Sequence, residues 1–241
     1  MKEKIISEVN LNKTIVVIPT YNEAENITKI IEEIKIFSLD ILIVDDNSPD
    51  KTSEIVKNLM DSKKGLFIIE RPKKLGLGSA YRDGFKYSIE RGYKKLIQMD
   101  ADFSHRTEDL STMLDFTDNY EVIIGSRYVP GGSSLGWNIF RKNLSKYANI
   151  YAKKITRSKV QDMTSGFRIY SSNALQSIEF ENTTSDGYGF QIEMSVRANK
   201  KKLKIKEVPI IFNERREGQS KMNYKIIFEA LVIVLKLRFK R

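Results

Sequence analysis

The chain has 241 residues, 41% hydrophobic and 30% charged, which suits one large folded domain and argues against wholesale disorder. It has no cysteine and one histidine, excluding disulfides, zinc–thiolate centres, cysteine nucleophiles and multi-histidine metal sites; any metal must be held mainly by oxygen, as magnesium and manganese are. A net charge of +10 suits an anionic partner: nucleic acid, a membrane surface or a phosphorylated substrate.

The opening stretch, MKEKIISEVNLNKT, is charged and lacks the apolar centre of a signal peptide. No apolar run approaches the ~18–20 residues of a membrane-spanning helix, so a cytoplasmic or peripheral protein is expected. Apolar, β-branched runs at Thr14–Pro19, Asp40–Asp46, Leu66–Arg71, Leu96–Asp100 and Glu121–Arg127 read as strands. Helical spacings separate the first four. Ile27, Ile30, Ile31 and Ile34 mark one face, Ile55, Val56, Leu59 and Met60 a second, and Tyr81, Phe85 and Ile89 a third. This alternation predicts an α/β fold with a mostly parallel central sheet flanked by helices, whose ligands bind beyond the carboxyl ends of the strands.

After residue 127 the alternation stops. Gly131-Gly132 marks a loop, and Phe140, Leu144, Ala148, Tyr151 and Ile155 predict a helix. Another helical pattern covers 188–199, followed by a strand-like LKIKEVPIIF and a basic loop, NERREGQSK. The chain then reads as a helix with an apolar core at Ile226–Leu235, broken only by Glu229 and followed by the basic KLRFKR. Residues 1–222 are read as one catalytic domain. Residues 223–241 are read as an amphipathic, basic helix that either covers the core or lies on a membrane.

The acids fall at strand ends. In QMDADFSH, Asp100 and Asp102 follow an apolar run one residue apart. On a strand they would point the same way and share one divalent cation with open positions for phosphates. Asp45 and Asp46 end the second strand, where acceptors suit ribose hydroxyls or base N–H groups. In IPTYNEAEN, Thr20 and Glu23 have capping-box spacing, and Tyr21 offers a flat face to a nucleotide. Ser48 as N-cap and Pro49 at the first helical position explain part of VDDNSPDKT. Neither G-x-G-x-x-G after the first strand nor GxxxxGK[ST] is present, so both standard phosphate loops are absent.

IPTYNEAENI, IVDDNSPDKT, KLGLGSAYRDGF, MDADFSH, GSRYVPGG, TSGFRIY and EVPIIFNERREGQSK occur in this order. The set resembles the family 2 glycosyltransferases of GT-A fold over about residues 13–223, and within them is most similar to the dolichyl-phosphate mannosyltransferases. The resemblance implies inverting transfer of mannose from GDP-mannose to dolichyl or another polyprenyl phosphate, feeding protein glycosylation. Related enzymes that move glucose from UDP-glucose share most of these motifs. It implies donor binding by Pro19, Tyr21, Glu23, Asp45, Asp46, Lys74, Asp100, Arg215 and Lys221, with Mg²⁺ or Mn²⁺ on Asp100 and Asp102.

Some relatives use a glutamine two residues further on as a ligand; this chain has Ser104 there. His105 matches the family's usual histidine. Asp102, Arg127 and Arg168 are the implied catalytic residues, and Arg127, Arg141 and Ser165 the implied seat of the acceptor phosphate. A phosphate monoester, with a second pKa of about 6, is already mostly ionised at pH 7 and hardly needs a general base. Relatives with C-terminal membrane spans exist. Here anchoring would fall to the last helix, its basic residues or a membrane-anchoring partner subunit. A non-catalytic nucleotide-sugar or nucleic-acid binder is the reading from another class; no nucleic acid is expected as partner of the enzyme.

Overall fold

Strict alternation in the first strands puts Ile15, Val17, Leu42 and Val44 on one face of a sheet and Val16, Ile18, Ile41 and Ile43 on the other, all fully buried. Both faces therefore demand cover. The computed structural model describes residues 13–214 and 224–239, with side chains of the last helix described from 231 onward. Its elements run β1 (Thr14–Thr20), α1 (Ala24–Lys35), β2 (Asp40–Asp45), α2 (Thr52–Met60), β3 (Leu66–Glu70), α3 (Leu77–Glu90), β4 (Lys95–Gln98), α4 (Thr107–Leu114) and β5 (Val122–Ser126). There follow β6 (Ser133–Ser134), α5 (Ile139–Thr156), β7 (Arg168–Ser171), α6 (Ser172–Ser177), α7 (Gly187–Lys200), β8 (Ile205–Pro209), β9 (Ile211–Phe212) and α8 (Tyr224–Phe239).

The main sheet has the order β3-β2-β1-β4-β7-β5-β8, and every pairing is parallel except those of β7 with β4 and β5. One face carries α1, α2 and α4 through Ile27, Ile30, Ile31, Ile34, Val56, Leu110 and Met113. The other carries α3, α5, α6, α7 and α8 through Tyr81, Phe85, Ala152, Leu175, Phe190, Val234 and Leu237. The α/β architecture with a mostly parallel, helix-flanked sheet is as the alternation predicts. β7, α4 and α6 were not legible. β7 alone runs against its neighbours, setting Arg168 opposite Gln98 and Ile124 and bringing the loop before it to the carboxyl edge of β4.

Two helix starts differ from the sequence reading. Thr20 belongs to β1, and its hydroxyl donates to Asp45 Oδ1 (2.7 Å) rather than capping α1. The amides of Asn22, Glu23 and Ala24 are met by Ser48 Oγ, Thr52 Oγ1 and Asp50 Oδ2 from the next loop. That loop cannot begin its helix at Pro49; α2 starts at Thr52, after Lys51 in the left-handed region. Burial tends to raise the Asp50 carboxyl, but hydrogen bonds from Thr52 and Ala24 hold it below its ordinary value. The aspartates of MDAD lie beyond β4, which ends at Gln98, in a turn containing Phe103 at φ +57°. Strand geometry therefore does not orient them together.

α3 lies directly on β1. A Cβ on Gly84 would sit 2.4 Å from Val17 Cγ1, so only glycine allows this approach. Gly84→Ala is expected to destabilise the fold by about 1–3 kcal/mol through overpacking, read as a lower urea midpoint at unchanged m-value.

Candidate active site

Because β1, β2 and β4 are parallel, their carboxyl ends share one edge, and the loops leaving them build one wall of a site. Tyr21 follows β1, and the Lys74 ammonium lies 3.5 Å from its ring centroid, joining two residues expected to bind the nucleotide. Pro19 and Glu23 flank them, both half-buried. Asp45 accepts from Thr20 Oγ1, Ser48 Oγ and the Ser48 amide. Asp46 pairs with Arg71 (2.8 Å) and accepts from the amides of Leu75 and Gly76. Both second-strand acids are engaged by the protein's own donors. Their bonds hold this wall in shape at the edge where the sequence places the nucleoside. Arg71 carries the brace onward to Ser79 at the start of α3.

The MDAD turn forms the floor. Asp102 is buried, and its Oδ1 accepts from the Ser104 amide at 3.0 Å. Asp100 keeps 29% of its side chain exposed. Tyr81 Oη lies 3.2 Å from both Asp100 Oδ1 and the Met99 carbonyl. Burial, then the charge of Asp100, pushes the Tyr81 hydroxyl well above its ordinary pKa, so it stays protonated as a donor. The Asp100 amide donates to His105 Nδ1 (3.2 Å), which puts the imidazole proton on Nε2, 4.0 Å from Asp100 Oδ2. The His105 ring stacks on Phe167, with centroids 5.0 Å apart. Gly166 completes the turn's cover, since a Cβ there would stand 3.3 Å from Asp100 Oδ2. His105 thus braces the Asp100 loop.

The arginines differ in what surrounds them. Arg168 is fully buried, donating to the carbonyls of Ser165 and Met163, to Tyr170 Oη and to Ser195 Oγ. These bonds brace the 163–167 loop. Ser165 is also buried, and its Oγ accepts from the Phe167 amide (3.3 Å), which shapes the turn. Arg127 meets Asp162 with two nitrogens, at 2.7 and 2.6 Å, and its amide donates to the same carboxylate. Burial works against both ions, but their mutual attraction raises the Arg127 pKa and lowers that of Asp162. In this structure Arg127 is held in place by Asp162 at the end of β5. Its guanidinium lies 5.3–5.4 Å from the rings of Tyr128, Trp137 and Phe212.

Arg141, in the first turn of α5, stacks over Trp137 at 4.3 Å and pairs with Glu214 at 2.9 Å. Arg215 and Lys221 lie outside the described residues. Sequence reasoning missed Tyr81, read only as a core position, and Asp162. Trp137, two residues before α5, was also not singled out; its ring lies beneath Arg141 and beside Phe212.

Next to this site α5 exposes Ile139 (79%), Phe140 (75%) and Tyr147 (68%) among exposed Lys142 and Lys146. α8 packs against α5 and α7; Val234 and Leu237 enter the core while Leu231, Leu235 and Phe239 stay exposed. Among the described residues no helix is long and apolar enough to cross a membrane.

Asp162→Asn would leave Arg127 buried without its counter-charge and is expected to cost roughly 3–5 kcal/mol in chemical denaturation. The Asp162 contribution is complete above its unfolded-state pKa of about 3.9 and is lost as pH falls through the depressed folded value. Stability of the wild type should therefore fall more steeply with acid than that of the variant.

Residues 15–179 match the model described as glycosyl transferase family 2. An undecaprenyl-phosphate mannosyltransferase of Micrococcus luteus is 38% identical over 92% of each chain. A polyprenol monophosphomannose synthase of Mycolicibacterium smegmatis is 41% identical over 91% of this chain and 84% of its own. Among solved structures, the mannosyltransferase PcManGT from Pyrobaculum calidifontis, in complex with GDP-Man and Mn²⁺, aligns with TM-score 0.57 at 13% identity, covering 94% of this chain and 72% of that one. S. aureus TarS 1–349 aligns with TM-score 0.55 at 16% identity over the same shares. The architecture is the GT-A glycosyltransferase fold, and the chain belongs to glycosyltransferase family 2.

Proposed function

We propose that this enzyme transfers mannose from GDP-mannose to a polyprenyl phosphate with inversion at the anomeric carbon. The observation that carries the reading is the juxtaposition, at one sheet edge, of the Asp100–Asp102 turn with the Tyr21–Lys74 wall. Relatives about 40% identical over most of the chain, named for polyprenyl-phosphate mannose transfer, support the substrates. In the reaction, an acceptor phosphate oxygen attacks the sugar's anomeric carbon, a C–O bond forms, and the bond to the diphosphate breaks to release GDP.

Asp100 and Asp102 fit a hard divalent ion. Among the described residues no group of three or more acids or histidines is placed to hold a metal, so substrate phosphates would have to supply the rest of the shell. Mg²⁺ or Mn²⁺ there would neutralise charge on the leaving diphosphate. Tyr21 and Lys74 would bind the nucleotide, with Pro19 and Glu23 beside them. Tyr81 and His105 hold the Asp100 loop in register. No general base is required: the acceptor phosphate is already ionised, and His105 Nδ1 is engaged by a backbone amide.

The exposed apolar and basic faces of α5 and α8 suit a membrane surface from which a lipid phosphate is drawn. This extends the interfacial role expected of the last helix to a pair of helices.

Labelled GDP-mannose, a polyprenyl phosphate and Mn²⁺ or Mg²⁺ should give label extractable into organic solvent, abolished by EDTA. Asp102→Asn should lower that rate at least about a hundred-fold without unfolding the chain. Transfer from UDP-glucose in place of GDP-mannose would overturn the donor assignment. In sedimentation with anionic liposomes, the double change Ile139→Ser and Phe140→Ser should lower the bound fraction; unchanged binding would reject the α5 face as membrane contact.

A further inference from the structure

We propose that Gln98 is a positioning residue for the Asp100 turn, its buried carboxamide setting the Tyr81 hydroxyl on the Asp100 carboxylate. The inference rests on the proposed reading of Asp100 as a ligand of the divalent ion. Gln98 is the last residue of β4, the central strand of the sheet, and is fully buried. Among the described residues neither its Nε2 nor its Oε1 has a hydrogen-bond partner. A carboxamide left so inside a sheet destabilises the fold, and an apolar side chain of similar shape would avoid that penalty.

The ladder sets the direction in which Gln98 points. Leu96, two residues earlier on β4, belongs to the core that holds Tyr81, Phe85 and Phe190, so Gln98 faces α3 and α7 as well. Its register partners are Val17 and Arg168. The Arg168 guanidinium donates elsewhere, to Tyr170, Ser195 and the carbonyls of Ser165 and Met163. The polar group that Gln98 meets is the Tyr81 hydroxyl. Burial and then Asp100 keep that hydroxyl protonated, and the Gln98 amide works against them, as a donor facing the phenol oxygen does.

The Tyr81 ring is clamped between Phe85 and Phe190, with centroids 5.7 and 5.9 Å away, so the direction of its O–H is the freedom that remains. Its one proton has two acceptors at 3.2 Å, Asp100 Oδ1 and the Met99 carbonyl. An N–H directed at the phenol oxygen occupies a lone pair, restrains the O–H and polarises it towards the stronger acceptor, the carboxylate. Gln98 and Tyr81 face each other without a full hydrogen bond, and the pair can tighten when a cation draws on Asp100.

Gln98→Met keeps the volume and removes both polar atoms. Its urea midpoint should equal or exceed that of the wild type, because an unpaired carboxamide is gone. In isothermal titration calorimetry, binding of GDP with Mn²⁺ should weaken at least about five-fold, while binding of GDP in EDTA stays within about two-fold. Tyr81→Phe should weaken Mn²⁺–GDP similarly, and the double variant no more than either single one, since both changes remove the same link. A lower urea midpoint, or failure to fold, overturns the inference, because the carboxamide would then serve the fold. So does Mn²⁺–GDP affinity within about two-fold of wild type in Gln98→Met, or effects that multiply in the double variant. Wild-type binding that gains nothing from Mn²⁺ would sink the metal reading of Asp100 and this inference with it. Mn²⁺-dependent binding that survives intact in Gln98→Met sinks this inference alone.

Discussion

A guanidinium can be buried in this protein only where a carboxylate or a set of carbonyls meets it, and Arg127 with Asp162 is the case on which the site depends. The two charges are at the end of β5 and in the loop before β7, so their pairing ties the outer half of the sheet to that loop. Thr164 accepts from the same guanidinium, and Asn149 of α5 donates to Thr164 and accepts from the Met163 amide. A buried charge is therefore linked to α5 at Asn149. The low-dielectric surroundings that make an unpaired ion expensive also make this geometry well defined.

The same logic recurs across the edge. Asp46 and Arg71 pair with their side chains 7% and 3% exposed, and from that pair hydrogen bonds reach Gly76 and Ser79 at the start of α3. Arg168 satisfies itself on carbonyls and hydroxyls, gathering the 163–167 loop beside the Asp100 turn. Most of the site's charged side chains are engaged within the fold, and those the proposed reading assigns to the donor are few: Tyr21 and Lys74 on one wall, Asp100 and Asp102 in the floor. Such a division is consistent with a reaction whose nucleophile arrives already ionised.

Much of this was readable from the chain. The strands of the first half announced themselves because a sheet covered on both faces needs apolar residues at every position, and the helices between them because their apolar spacing is 3.6-fold. β7 was hidden because four residues flanked by a buried arginine carry too little pattern to separate strand from loop. The helix starts were misread because local capping signals compete with longer-range donors; Thr20 found Asp45 across the sheet, and Asp50 reached the α1 amides from the next loop.

By itself the sequence determined the fold class, the lack of any thiolate or histidine cluster that could hold a metal, and which acids stand at the strand ends. These follow from periodicity, composition and the parallel order of elements, all local properties of the chain. Only the tertiary structure decided which partner each of these charges meets. Arg127, Arg141 and Arg168 are chemically identical in the sequence; their roles diverge because one meets a buried carboxylate, one a half-exposed one, and one a nest of carbonyls and hydroxyls. Partners that lie tens of residues apart are set by packing, and no local pattern encodes them.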